Sequence, residues 1–256
     1  SDGREESQEV HLNPRSGRWL PDHSRLQRHV GSAVAYNVWQ YCEASGDTEF
    51  LHTRGAEMLL QIARFWADSA TWDEGLGRHR IRGVMGPDEY HDAYPDAPHP
   101  GLDDNAYTNV TAAWVLARAW TCCGPCRNPA ARTRRAHRTG RRRTRTVGGR
   151  LAHAPRAFHD GVISQFEGYG DLAELDWEGH RRQYGDIRRL DRILEAEGDT
   201  VNRYKASKQA DVLMLGYLFS PAELQDLFGR LGHRLDDELW LRTVDHYLHR
   251  TSTARP

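Results

Sequence analysis

Residues 81–109, IRGVMGPDEYHDAYPDAPHPGLDDNAYTN, limit what this chain can fold into more than any other stretch. Four prolines and three glycines break any helical or strand period. A loop this long inside a compact domain is either functional or disordered. Met85, Tyr90, Tyr94 and Tyr107 are interleaved with the acids and can anchor it to a core, which favours function. Gly86-Pro87 forces a turn, and Asp88-Glu89-Tyr90-His91 follows at its tip. Asp104 is expected to N-cap the amphipathic run that comes next. The fold must therefore be an ordered scaffold that displays one acidic loop at its mouth.

The flanking sequence supplies that scaffold. Val34, Val38, Trp39 and Cys42 fall at helical spacing, and Gly46 follows as a stop. A second helix is predicted from Asp47, with Leu51, Met58, Leu59, Ile62, Phe65 and Trp66 on one face. Gly75-Leu76-Gly77 marks a short hairpin within 71–83. A third helix is predicted over 105–120, with Val110, Trp114, Leu116 and Trp120 apolar. Residues 208–219 read as an apolar helix, Pro221 opens another that ends at Gly232, and 236–249 form the last. Residues 179–200 are polar and read as a solvated surface helix, and the tryptophans on helical faces read as core. Paired helices without a convincing sheet give an all-α fold class.

Composition sets the outer bounds. The 256 residues, 38% of them hydrophobic and eight of them tryptophan, suffice for a sizeable core in one large domain or two small ones. A formal net charge of −1 gives no overall attraction to nucleic acid or membrane. No run approaches the roughly 18 apolar residues of a membrane span, and no signal peptide is visible, so a soluble, cytoplasmic protein is expected. The segment 121–157 stands apart. No acidic residue occurs between Asn105 and His159, while ten arginines lie between Arg127 and Arg150. A nucleic-acid-binding arm would lack aromatic interleaving for stacking. Cys122, Cys123, Cys126 and His137 match no usual zinc-finger spacing. The stretch is read as a disordered or frame-shifted insert outside the packed core, with high-GC coding sequence read out of frame as the favoured origin.

Four spaced motifs then enter together: GVMGPDEYH at 83–91, DNAYTN at 104–109, QFEGY at 165–169 and NRYKASKQADVLML at 202–215. In this order they resemble the signature of family 65 glycoside hydrolases, which include the maltose, trehalose and kojibiose phosphorylases. The resemblance implies an (α/α)6 barrel, of which residues 1–256 would form an incomplete catalytic domain. The family's N-terminal β-sandwich, its Trp-Asp sugar-binding segment and the phosphate loop after an RTS sequence are not matched. The chain also opens at Ser1 without a methionine, so a fragment is expected. In the family the Glu of GPDEYH is the general acid, which implies that role for Glu89. The family's Lys-Gln pair around the glucosyl subsite matches Lys208 and Gln209. Asn105, Tyr107 and Asn109 match a family motif too, although capping and packing explain them almost as well. His91 either orients Glu89 or satisfies the loop backbone. Gln165 and Glu167 are sugar contacts only as far as QFEGY carries that role.

Breaking a glycosidic bond needs a proton for the leaving oxygen and a nucleophile at the anomeric carbon. An inverting hydrolase uses a second carboxylate as base on water, whereas an inverting phosphorylase lets phosphate attack. The implied function is an inverting phosphorylase of an α-linked glucose disaccharide. It would use inorganic phosphate as co-substrate, need no metal or cofactor, and release β-glucose 1-phosphate. The alternatives are a trehalase-like or kojibiose-hydrolysing enzyme of the same family, or an inactive remnant whose basic segment binds nucleic acid. Neither nucleic acid nor membrane is expected as a partner, and a homodimer is one option for the full-length form. The isolated chain is expected to be inactive.

Overall fold

Short antiparallel hairpins punctuate a helical chain, and the computed structural model describes residues 9–122 and 158–253 of it. β1 (Val10–Asn13) pairs with β2 (Arg18–Pro21), Val10 lying opposite Pro21. α1 (Val30–Ser45) and α2 (Ala56–Ser69) follow, then β3 (Thr71–Asp73) paired with β4 (Arg78–Arg80). The long loop leads into α3 (Ala106–Cys122). After it come β5 (Phe158–His159), β6 (Val162–Ile163), α4 (Trp177–Tyr184), α5 (Leu190–Ala196), α6 (Asp211–Leu218), α7 (Pro221–Arg230) and α8 (Asp237–Leu248). The class is all-α, as the helical periods predict.

α3 is the axis. Residues 106–116 are buried on every side of the helix, including Thr108, Asn109 and Thr111, so it has no solvent face and must be enclosed by other helices. α1, α2, α6 and α7 enclose it. The stripes that face it differ from those the apolar spacing suggests. α1 buries Ser32 and Ala35, while Val34 is exposed and Val38, Trp39 and Cys42 are half-buried. α2 buries Leu59, Ala63, Trp66 and Ala67 and leaves Met58 and Phe65 exposed. Ser32, Ala35 and Ala63 share the inner faces with Leu59 and Trp66, and Trp66 Nε1 spans the gap to donate to Ser32 Oγ at 2.9 Å.

The connections follow local chemistry. Gly46 closes α1 at φ 67°, and Asp47 caps the next turn by accepting from Phe50 N. A π-helical turn, Leu51–Gly55, precedes α2. Ser220 caps α7 with Pro221 in its first turn, and Asp236 caps α8. Two expectations need correction. α3 is capped by Asn105, whose Oδ1 accepts from Thr108 N at 2.9 Å, and not by Asp104. The polar stretch 179–200 forms α4 and α5, and α5 buries Leu190, Ile193 and Leu194, of which Leu190 and Leu194 join a second core with Tyr90, Leu175, Val201 and Ala206. Their i, i+3, i+4 spacing was hidden among charges.

Thr121 and Cys122 end α3; the remainder of the basic segment, with the insert and zinc readings made for it, lies outside the described residues. Among the described residues no group of His, Cys, Asp or Glu could hold a metal ion, and no helix is long and apolar enough to cross a membrane.

Candidate active site

The long loop is pinned at its base, where Val84 and Leu102 exchange backbone hydrogen bonds of 3.0 and 2.7 Å. Its tip is then held by groups from distant parts of the chain. Residues 84–91 are buried apart from Glu89. Asp88, 1% exposed, accepts on Oδ1 from the backbone of Tyr90 (3.3 Å) and Lys208 (3.0 Å), and on Oδ2 from Gln165 Nε2 (3.1 Å). Its own N–H donates to Asp211 Oδ1 at 2.6 Å. Asp211, equally buried at the start of α6, accepts on Oδ2 from Asn105 Nδ2 at 2.7 Å. Gly86 lies against this carboxylate: a Cβ there would fall inside it and sit 2.6 Å from Asn105 Nδ2. Glycine is therefore required by space rather than by φ.

Tyr90 fixes the other side of Glu89. Its hydroxyl donates to Arg188 O at 3.0 Å, accepts from Leu190 N at 3.1 Å, and meets Ser252 Oγ at 2.7 Å. His91 is also buried; its Nε2–H donates to Tyr204 O at 2.9 Å, and its ring packs on Phe166 and Tyr169. Glu89 is left with a side chain 53% exposed, and Lys208 Nζ donates to its Oε2 at 2.7 Å. Acidic neighbours in sequence suggest like charge around Glu89, yet the ionic partner it has is a lysine. Gln209 is exposed and donates from Nε2 to Pro87 O at 3.3 Å.

Desolvation dominates the electrostatics beneath the surface. Burial pushes Asp88 above the usual carboxylate range, against the hydrogen bonds it accepts. Burial raises Asp211 as well, and the neighbouring charge of Asp88 raises it further. Burial pushes the His91 imidazole down to about 4, so at neutral pH it is uncharged with its proton on Nε2.

The structure thus brings Glu89, Lys208 and Gln209 to one surface. Asn105 sits beneath them as cap and as donor to Asp211. Tyr107 is buried edge-on to His29 and Asn109 donates to Asp104 at 3.4 Å. Of the conditional sugar contacts, Gln165 donates to Asp88 and Glu167 forms an ion pair with Arg80. Asp211 is the site residue that sequence reasoning passed over. Its signal was an acid at the head of the apolar run ADVLML, which reads equally as helix-start polarity.

A family model described as the glycosyl hydrolase family 65 central catalytic domain matches residues 1–254. The chain belongs to glycosyl hydrolase family 65. An uncharacterized glycosyl hydrolase of Mycobacterium tuberculosis strain H37Rv is 53% identical over 255 residues, 98% of this chain and 19% of that protein. Trehalose 6-phosphate phosphorylase of Lactococcus lactis is 36% identical over 262 residues, 99% of this chain and 32% of the relative. A solved structure, a putative kojibiose phosphorylase from the human microbiome, superposes with a TM-score of 0.63 at 18% identity, over 88% of this chain and 28% of that one. At that identity the likeness bears on the fold alone, and it fits the part of an (α/α)6 barrel that the family 65 motifs imply. The chain spans about a fifth to a third of the length of the relatives named.

Proposed function

We propose that this family 65 segment carries the acid of an inverting phosphorylase acting on an α-linked glucose disaccharide. The observation that supports it most is the exposure pattern of the acid turn. Every residue of 84–91 is buried except Glu89, so the backbone is fixed and one carboxylate projects. Lys208 and Gln209 border it, a cationic donor and an amide that both donates and accepts, suited to hydroxyls of a bound glucosyl unit. Glu89 gives its proton to the glycosidic oxygen as the bond from that oxygen to the anomeric carbon breaks. An oxygen of inorganic phosphate forms the new bond from the opposite face, leaving β-glucose 1-phosphate and a free sugar. The Glu89 carboxylate then regains a proton from phosphate or solvent.

The alignment of trehalose 6-phosphate phosphorylase along 99% of the chain supports phosphate over water and puts that sugar first among substrates to assay. Hydrolysis is the second reading, favoured by the name of the relative at 53% identity. In the full-length protein, Glu89→Gln is expected to lower disaccharide turnover by at least ~10²-fold, the scale of a general-acid contribution. α-Glucosyl fluoride, whose leaving group needs no proton, should lose much less. Equal losses on both substrates would remove Glu89 from the acid role. Release of glucose in place of glucose 1-phosphate, independent of phosphate, would select hydrolysis.

A further inference from the structure

Beneath Glu89 lies an arrangement that the acid role does not itself explain. Two fully buried carboxylates sit side by side, an expensive choice where apolar residues of similar size would give more stability. What they make in return is a reciprocal clasp. The Asp88 backbone N–H donates to the Asp211 side chain, while the Asp88 side chain accepts the Lys208 backbone N–H. The clasp joins the residue before Glu89 to Lys208 itself. From this we infer that Asp211 is a positioning residue for the acid: paired with Asp88, it fixes the turn bearing Glu89 against the segment bearing Lys208 and so sets the separation of those two side chains.

Three further observations carry the inference. Asn105 cannot turn its amide over, because its Oδ1 is committed to the cap of α3, so its Nδ2 needs an acceptor where Asp211 Oδ2 lies. Gly86 leaves room for the Asp211 carboxylate and for nothing larger than hydrogen. Gln165 donates to the remaining Asp88 oxygen, so each of the four carboxylate oxygens has a donor. A residue that only stabilised the fold would not need this directional set. It rests on the proposed acid role of Glu89, and its test separates the two.

The test uses the full-length protein and two substrates with phosphate: α-glucosyl fluoride, and whichever of trehalose 6-phosphate, trehalose, maltose and kojibiose the wild type cleaves. Asp211→Ala, which removes both acceptors, should lower kcat on the disaccharide by about 10²-fold, the scale of a misplaced general acid. KM and turnover of the fluoride should change by no more than about fivefold. Asp211→Asn, which keeps one acceptor, should fall between wild type and Asp211→Ala. Hydrogen exchange over 86–91 should quicken in Asp211→Ala while α1 and α2 keep their protection. Equal losses on the two substrates, or unchanged protection of 86–91, overturn the inference. If Asp211→Ala does not fold, Gly86→Ala, which keeps both carboxylates but displaces them, is read by the same two measurements. If Glu89→Gln spares disaccharide turnover, the acid assignment fails, while the exchange measurement still decides the clasp.

Discussion

His91 is locked into the acid loop by burial and a backbone hydrogen bond. It is buried, neutral and bonded to the backbone at Tyr204, with burial holding its imidazole down to about 4. In the unfolded chain the same ring titrates near 6.5. Between those values the unfolded state binds a proton that the folded state refuses, so this part of the stability is lost as pH falls from about 6.5 to about 4. Asp88 and Asp211 act in the opposite sense, since their raised folded values favour the native state at low pH and cease to do so as pH rises. Comparing wild type with His91→Gln cancels the carboxylates. Glutamine can donate to the same carbonyl but does not titrate. The variant should therefore gain about 3 kcal/mol on wild type between pH 7 and pH 4, measured by urea unfolding at both. A constant difference would mean that His91 is not held neutral. At this scale the resemblance to the family 65 motifs grouped Glu89, Lys208 and Gln209, and the fold brings the three to one surface. The work of Asp211 was not legible, because a buried acid and a helix-start acid look alike until the fold places them.

Arg80, at the end of β4, ties the second hairpin to the start of α3. Its Nε donates to Asp104 at 2.6 Å, its guanidinium pairs with Glu167, and Asp73 and Asp103 lie at 3.7 and 3.8 Å. Asp104 holds this contact from the left-handed region, φ 51°, which is why Asn105 and not Asp104 caps the helix. The side chain of Asp104 is 1% exposed, so removing its partner leaves a charge in the interior. Arg80→Ala should cost about 3–5 kcal/mol, the usual effect of breaking a buried pair. It would be read as a lower urea midpoint with unchanged slope. Arg80→Lys should recover only part, since one ammonium cannot serve the acids the fork reaches. A loss below about 1 kcal/mol would show that water replaces the guanidinium. The β3–β4 hairpin itself was readable from its glycines, and helix starts near Asp47, Pro221 and Asp236 were readable too. The β1–β2 and β5–β6 hairpins were not, being too short to establish an alternation.

Across the whole molecule, helical periods and turn residues were enough to give an all-α chain and to place Leu59 and Trp66 inside, whereas small inner-face residues such as Ser32, Ala35 and Ala63 carry no apolar signal strong enough to be read. The same geometry leaves Val30, Val34, Met58 and Phe65 exposed along α1 and α2. α1, α2 and α3 pack on one another close in sequence, but the clasp under Glu89 closes hydrogen bonds across 120 and 123 residues. A ribosome delivers Glu89 long before it delivers Asp211, and closing so large a loop has an entropic cost that local helix packing does not. The acid turn therefore has to wait, and competence is acquired last. Pulsed hydrogen exchange during refolding should find amides of α1 and α2 protected first and the Asp88 amide among the latest. Simultaneous protection would mean that the clasp forms with the nucleus instead of after it.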